Sequence, residues 1–363
     1  MAAAAPDDPR EVVLQAESAV SSAIFSTAAP GNHRQQQVAS GSAALLAAAE
    51  AAHQGHRAAA VLSPGELLGA LSALQTVARG GAPIVVHVVG APAHDGGWAL
   101  GREEIAPALD AGAGVLVTWS AQESVDLTLA ARRAAEDAEV PFVLVTDGAG
   151  PVMALPGSGL ITKFLGASRP ARPPREAASA VQSKRAERSF AARVPFALAG
   201  AMRELGELTS RPLAPVERYE TADAEEIVVA VGQAYPAARA AAEALRREGR
   251  RVGAVGVRAL RPFFPAELVK AVSRARAIAV IEPLDIALAP CGPLAAGLKA
   301  AFADAITWAP GYPGVGRIPP IVSVVFATVD GAVTERQVRE ALDELGAGDR
   351  ARRLIVFGTE AVG

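Results

Sequence analysis

The stretch Gly114-Val115-Leu116-Val117-Thr118-Trp119-Ser120-Ala121-Gln122-Glu123-Ser124-Val125-Asp126-Leu127 decides the fold. It opens with a continuous apolar run, the pattern of a strand covered on both faces. Ser120-Ala121-Gln122-Glu123 then has the spacing of a capping box, in which the serine accepts the third helical N–H and the glutamate reaches back. This predicts a helix to about residue 135, followed by a second buried strand over 140–145 that closes at Asp147-Gly148. Two covered strands joined by a helix of this length form a parallel βαβ unit.

The same alternation extends towards the N-terminus. An apolar, β-branched run over 82–89 reads as another buried strand. Before it, Ser63-Pro64-Gly65-Glu66 combines an N-cap serine, a first-turn proline and a glutamate three residues on, so a helix is expected from there to about residue 79. A short strand over 58–62 and an alanine-rich helix over 42–53 precede it. Towards the C-terminus the periodicity stops. Residues 150–192 carry Pro170, Pro173 and Pro174 with no apolar period, and one helix is expected over 195–208. A connection of that length argues for a domain boundary.

The second half restarts the pattern: strands over 226–232, 251–257, 277–281, 322–326 and 354–357, and helices over 237–248, 265–273, 293–303 and 334–345. Thr334 and Gln337 form a third capping box. The expected fold class is α/β, two domains with mainly parallel sheets covered by helices. The bounds are 1–165, a Pro/Arg-rich connection with one helix over 166–220, and 221–363.

Composition narrows the function. With 363 residues, 51% apolar and 20% charged, and a net charge of −3, the chain has neither the signature of disorder nor a basic nucleic-acid footprint. Glu66, Arg79 and Glu282 break the longest apolar runs before the roughly 18 residues that a bilayer span needs. Residues 1–10 show no basic-then-apolar signal pattern, so a soluble, cytoplasmic protein with no membrane partner is expected. The single cysteine, Cys291, excludes an internal disulfide and a four-thiolate iron–sulfur cluster.

Isolated constellations read as structure. His53 and His56 lack a third metal ligand nearby, and two exposed imidazoles at a helix C-terminus need no metal. His94-Asp95 lies in a glycine-rich turn, and His87 sits mid-strand as a hydrogen-bonded core histidine. Gly311-Tyr312-Pro313-Gly314-Val315-Gly316 lacks the strand-to-helix context of a dinucleotide fingerprint, and Gly157-Ser158-Gly159 with Lys163 misses the P-loop spacing.

Taken together, the order of segments resembles the two N-terminal domains of the pyruvate:ferredoxin oxidoreductase family, the thiamine-diphosphate enzymes that cleave 2-oxoacids. Ser63-Pro64-Gly65-Glu66-Leu67 stands where the family has Ser-Gln-Gly-Leu, and 83–89 matches its Leu-Pro-x-Val-x-His-Val strand. Trp119 to Leu127 is similar to Ser-Val-Gln-Glu-Val-Met-Asp-Leu, and Asp147-Gly148 to Asp-Gly-Phe. Val252 to Pro262 is similar to Val-Gly-x-Val-x-Val-Arg-x-Tyr-Arg-Pro. The resemblance implies a pyrimidine-binding-like domain followed by a transketolase-C-like domain, as in an alpha-type chain.

It also implies where to look for chemistry. The family places its glutamate, which shares a proton with the aminopyrimidine ring, in Ser-Glu-Ala-Gly-Ala; here the matching stretch is Ser40-Gly41-Ser42-Ala43-Ala44, so Gly41 replaces the acid. Glu50 lies too far along the same helix to substitute. Phe25-Ser26-Thr27-Ala28-Ala29-Pro30 is the candidate for the family's Tyr-Pro-Ile-Thr-Pro, and Gly90-Ala91-Pro92-Ala93 stands where an arginine would meet the substrate carboxylate. Gly101-Arg102-Glu103-Glu104 stands for the family's Gly-Asp-His-Ser-Asp loop.

The expected cofactor-site positions, in degenerate form, are Thr27, Ser40, Gly41, Ser63 and Gly65, with no catalytic residue and no metal ligand on this chain. Thiamine diphosphate with magnesium is expected only at a partner interface, if at all, and iron–sulfur clusters only on partner chains. The implied partners are a thiamine-diphosphate-binding beta-type subunit, iron–sulfur subunits and, indirectly, ferredoxin, in a hetero-oligomer. The implied role is a non-catalytic, assembly-forming subunit. Two alternatives stand beside it: a working subunit for oxidative decarboxylation of a 2-oxoacid to acyl-CoA, and a free-standing scaffold.

Overall fold

The computed structural model describes residues 8–92, 98–99, 105–148, 150–168, 192–282, 289–326, 333–346 and 354–357. His94-Asp95, Gly101 to Glu104 and Pro170 to Pro174 lie outside them. The chain divides into two compact units: 1–92 with 104–215 and 260–262, and 93–103 with 216–259 and 263–363.

The first unit is a parallel sheet with helices. In chain order it contains α1 (Pro9–Val20), β1 (Ala23–Ser26), β2 (Gln35–Gln37), α2 (Gly41–His53), β3 (Ala58–Leu62), α3 (Pro64–Gly69), α4 (Leu71–Gly80), β4 (Val85–Val89), β5 (Gly114–Val117), α5 (Ala121–Ala138), β6 (Phe142–Thr146), α6 (Ser158–Leu165) and α7 (Val194–Thr209). The strand order is Ala259–Arg261, β5, β6, β4, β3, β1, β2. The pairs β1–β2, β1–β3, β3–β4, β4–β6 and β5–β6 are all parallel. Ile24 pairs with Ala59 and Val61 with His87, so one face of these strands carries Ile24, Val61 and Val89, which pack with Val13 of α1. Helix α2 lies against β1 and β3, with α3 and α4 beside it.

Several local signals act as the sequence predicts. Ser63 and Glu66 close a complete capping box on α3. At α5, Ser120 accepts from the Glu123 N–H, but the Glu123 carboxylate receives the Trp119 N–H, one residue earlier than a capping box requires. The helix expected from 63 to 79 is two helices, because Ala70 adopts φ −107°, ψ 8° after Gly69 and ends α3. The strand expected from 82 begins at Val85, after Pro83, which has no N–H for a ladder. Residues 158–165, read as irregular, form α6; its N-cap is Gly157, which has no side chain to mark the start. Gly148 has φ +90°, and a Cβ there would run into the Trp119 carbonyl, so the turn after β6 needs glycine.

The second unit contains β7 (Val216–Tyr219), β8 (Glu226–Val231), α8 (Ala234–Arg247), β9 (Val252–Val257), α9 (Pro265–Val272), β10 (Ala277–Ile281), α10 (Pro293–Ile306), β11 (Ile321–Phe326), α11 (Glu335–Gly346) and β12 (Leu354–Phe357). Its order is β12-β11-β10-β8-β9-β7, parallel except for the edge pair β9–β7. Thr334 and Gln337 exchange both bonds of the third capping box. The α/β class with mainly parallel sheets is therefore as expected. Among the described residues no helix is long and apolar enough to cross a membrane.

Candidate functional site

In open parallel sheets ligands bind beyond the carboxyl ends of the strands. Two of the expected site residues follow such ends in the first unit: Thr27 directly after β1, and Ser63 directly after β3. Ser40 is the N-cap of α2, accepting from the Ala43 N–H at 3.2 Å, and Gly41 is the helix's first residue.

One side chain that the sequence reading assigned only to capping joins these positions. Glu66 receives the Thr27 hydroxyl on Oε1 at 2.5 Å. Its Oε2 receives the Ser63 N–H at 2.7 Å and the Ser63 hydroxyl at 2.9 Å. The backbone of the same residue lies over α2: a Cβ added to Gly41 would stand 2.9 Å from the Glu66 carbonyl oxygen and 3.2 Å from its Cβ. Thr27, Gly41 and Ser63 thus converge on Glu66. Gly65, next to Glu66 in the chain, faces open space where its Cβ would be. The only sequence signal for this role was Glu66's place in the capping box.

The hydrogen bonds outweigh partial burial and hold the Glu66 carboxyl below its ordinary range. The burial raises its pKa, but the Ser63 N–H and the Thr27 and Ser63 hydroxyls favour the charged form. It is an ionised acceptor whose two oxygens are both engaged. Thiamine chemistry needs a carboxyl group that shares a proton with the aminopyrimidine ring. At the position expected for it, residue 41 has no side chain and a Cβ there would press on the Glu66 backbone, while both Glu66 carboxylate oxygens accept hydrogen bonds from Thr27 and Ser63. Among the described residues no cluster of three or more His, Cys, Asp or Glu could hold a metal ion.

The helix-start motif at Gln122 to Asp126 is engaged within the unit. Gln122 Oε1 accepts the N–H groups of Met153 and Ala154 at 2.7 and 2.8 Å, and its Nε2 donates to the Ala154 carbonyl at 3.0 Å. Asp126 receives Arg211 Nη2 at 2.6 Å and Nε at 2.8 Å. These residues fasten the segment after β6 and the chain leaving α7. His87 is fully buried with Nε2 2.8 Å from Glu17 Oε1, in keeping with a core histidine. His53 is half-buried rather than exposed, with no partner for Nδ1 among the described atoms, and His56 is exposed as expected.

Comparison with known proteins finds similarity to 2-oxoacid oxidoreductases. Residues 224–315 match the model of pyruvate:ferredoxin oxidoreductase core domain II. Pyruvate synthase subunit PorA of Methanothermobacter thermautotrophicus is 39% identical over 82 residues, 23% of this chain and 21% of that protein. A putative pyruvate-flavodoxin oxidoreductase of Synechocystis is 27% identical over 165 residues, 45% of this chain and 13% of that protein. The chain therefore spans about a fifth or less of these relatives' lengths. A structure of 2-oxoglutarate:ferredoxin oxidoreductase from Magnetococcus marinus, with 2-oxoglutarate, coenzyme A and succinyl-CoA bound, superposes with a TM-score of 0.63 at 14% identity, covering 93% of this chain and 64% of that one. A split-gene transketolase, an inactive beta4 tetramer, gives 0.57 at 13% identity over 93% and 96%. At such identities the structures share the fold alone. Residues 224–315 are thus similar to a core domain of pyruvate:ferredoxin oxidoreductases, and the fold of the chain is similar to that of a 2-oxoacid:ferredoxin oxidoreductase.

Proposed function

We propose that this chain is a non-catalytic, assembly-forming subunit of a 2-oxoacid:ferredoxin oxidoreductase-like complex. In this reading 1–165 serves as the pyrimidine-binding-like domain and 221–363 as the transketolase-C-like domain, joined by 166–220. The observation that carries it is the closure of position 41, where a Cβ would stand 2.9 Å from the Glu66 carbonyl oxygen. A subunit that cannot hold the proton-sharing acid cannot promote the imino tautomer on which deprotonation of the thiazolium carbon depends. The chain's one cysteine cannot hold a cluster, so electrons would leave through partner chains.

The partners expected are a thiamine-diphosphate-binding beta-type subunit with its magnesium, and cysteine-rich iron–sulfur subunits that pass electrons to ferredoxin. The competing reading, a working catalytic subunit, draws on the Glu66 carboxylate, which contacts Thr27 and belongs to the residue whose backbone lies beside Gly41. Native co-purification separates the possibilities. The subunit reading expects a stoichiometric complex containing a cysteine-rich, thiamine-binding chain, with any 2-oxoacid oxidation unaffected by Glu66→Gln. Isolation as a stable monomer would favour the free-standing scaffold, and loss of turnover in Glu66→Gln would favour the catalytic reading.

A further inference from the structure

Gly41 is the first residue of α2 and Glu66 lies in the first turn of α3, and the two approach each other closely. The shortest distance involves main chain: the Glu66 carbonyl oxygen lies 2.9 Å, and the Glu66 carbonyl carbon 3.4 Å, from where a Cβ on Gly41 would be. Real Cβ atoms do not sit that close to backbone oxygen, so a side chain at 41 requires the first turn of α3 to move. That turn is fixed at one end by Thr27, which donates to Glu66 Oε1 at 2.5 Å, and at the other by the Ser63 N–H on Oε2 at 2.7 Å. The carboxylate bridges the exit of β1 to the exit of β3.

We infer that Glu66 is a plug as well as a cap: by tying α3 to Thr27 and Ser63 it holds the turn over Gly41 and keeps the acid's place filled by backbone. The inference deepens the proposed function and rests on the alignment of Gly41 with the family's acidic position. A side chain at 41 and an anchored Glu66 then exclude each other, so restoring an acid at 41 requires releasing residue 66. The lowered pKa of Glu66 keeps the anchor charged, and hence strong, at neutral pH. The closeness is specific to position 41, because Gly65 in the same turn has open space at its missing Cβ.

A stability cycle on the full chain tests this. Gly41→Ala is expected to lower the thermal midpoint by several degrees, and the same substitution in a Glu66→Ala background by less than half as much. Thr27→Val, which frees only Oε1, should give a smaller relief of the same sign. Gly65→Ala serves as the control and should not lower the midpoint, since its Cβ meets open space and alanine favours the helix. Additive losses in both backgrounds, or a Gly41→Ala variant as stable as the parent, would overturn the plug. If Gly41→Ala does not fold alone but the double variant does, the coupling is shown directly; failure of both would overturn it. The outcome is separable from the non-catalytic reading, which fails on Glu66-dependent turnover of the complex and not on this cycle.

Discussion

Glu17 on α1 and Arg132 on α5 meet inside the first unit, with Nη2 3.2 and 3.1 Å from the two carboxylate oxygens and neither side chain exposed. Ser21 also donates to Glu17, and Arg132 reaches the carbonyl of Ala58 at 2.7 Å. Burying two charges is costly, and removing one strands the other. Arg132→Met should therefore cost about 3–5 kcal/mol, and Glu17→Gln should recover much of it in the double variant. Denaturant melts of the three variants measure this, and equal losses in the single and double variants would count against the pairing.

The same pair sets the acid limb. Burial alone would raise the Glu17 pKa, but Arg132 and the His87 and Ser21 hydrogen bonds bring it from 4.5 to about 2. A carboxyl with a depressed folded-state pKa contributes stability above its unfolded value, and that contribution is lost as pH falls. The first unit should lose stability as pH drops from about 4.5 towards 2. Melts across that range should show a shallower acid limb in Glu17→Gln than in the parent.

Glu282 works in the opposite direction in the second unit. Its carboxylate accepts the N–H groups of Leu294 and Ala295 at 2.8 and 3.1 Å at the start of α10. Burial outweighs these bonds and pushes its pKa from 4.5 up to about 7. The native state then binds the proton more tightly than the unfolded state, so stability falls as pH rises from about 4.5 to 7. Protection factors of β10 and α10 amides, taken relative to intrinsic exchange at each pH, should fall over that interval, and Glu282→Gln should flatten the dependence.

Asp126 and Arg211 offer a milder test. Their two-point contact is partly exposed, so Asp126→Asn should cost about 1–2 kcal/mol rather than the cost of a fully buried pair. Asp126 Oδ1 also accepts from Gln122 Nε2 at 3.1 Å, and the one acceptor oxygen left in the variant cannot keep the two-point Arg211 contact. Amides at Met153 and Ala154 should exchange faster in the variant while those of β4 stay protected.

Much of the fold was legible because its signals are local. The run at Val85–Val89 and the Ser63 to Glu66 box are each contained in a few residues, and both act where read. Helix α1 was not read, because Glu17 stands among its buried positions Val12, Val13, Ala16 and Val20 and interrupts the apolar face. Edge strand β2 is Gln35–Gln37, with no apolar residue to mark it. At the site, Thr27, Gly41 and Ser63 were chosen from motif positions, whereas the Thr27 bond to Glu66 spans 39 residues and leaves no mark in sequence. Only the folded chain brings a second glutamate to the place from which the first is missing.

The central claim, that this chain contributes no proton-sharing acid, meets its most direct test in exchange of the thiamine diphosphate C2 proton in deuterated buffer, followed by NMR on the co-purified complex. The account predicts the same exchange rate with the parent chain and with Glu66→Gln. Slowing by about a hundredfold or more in Glu66→Gln, the scale of a lost general acid or base, would contradict it.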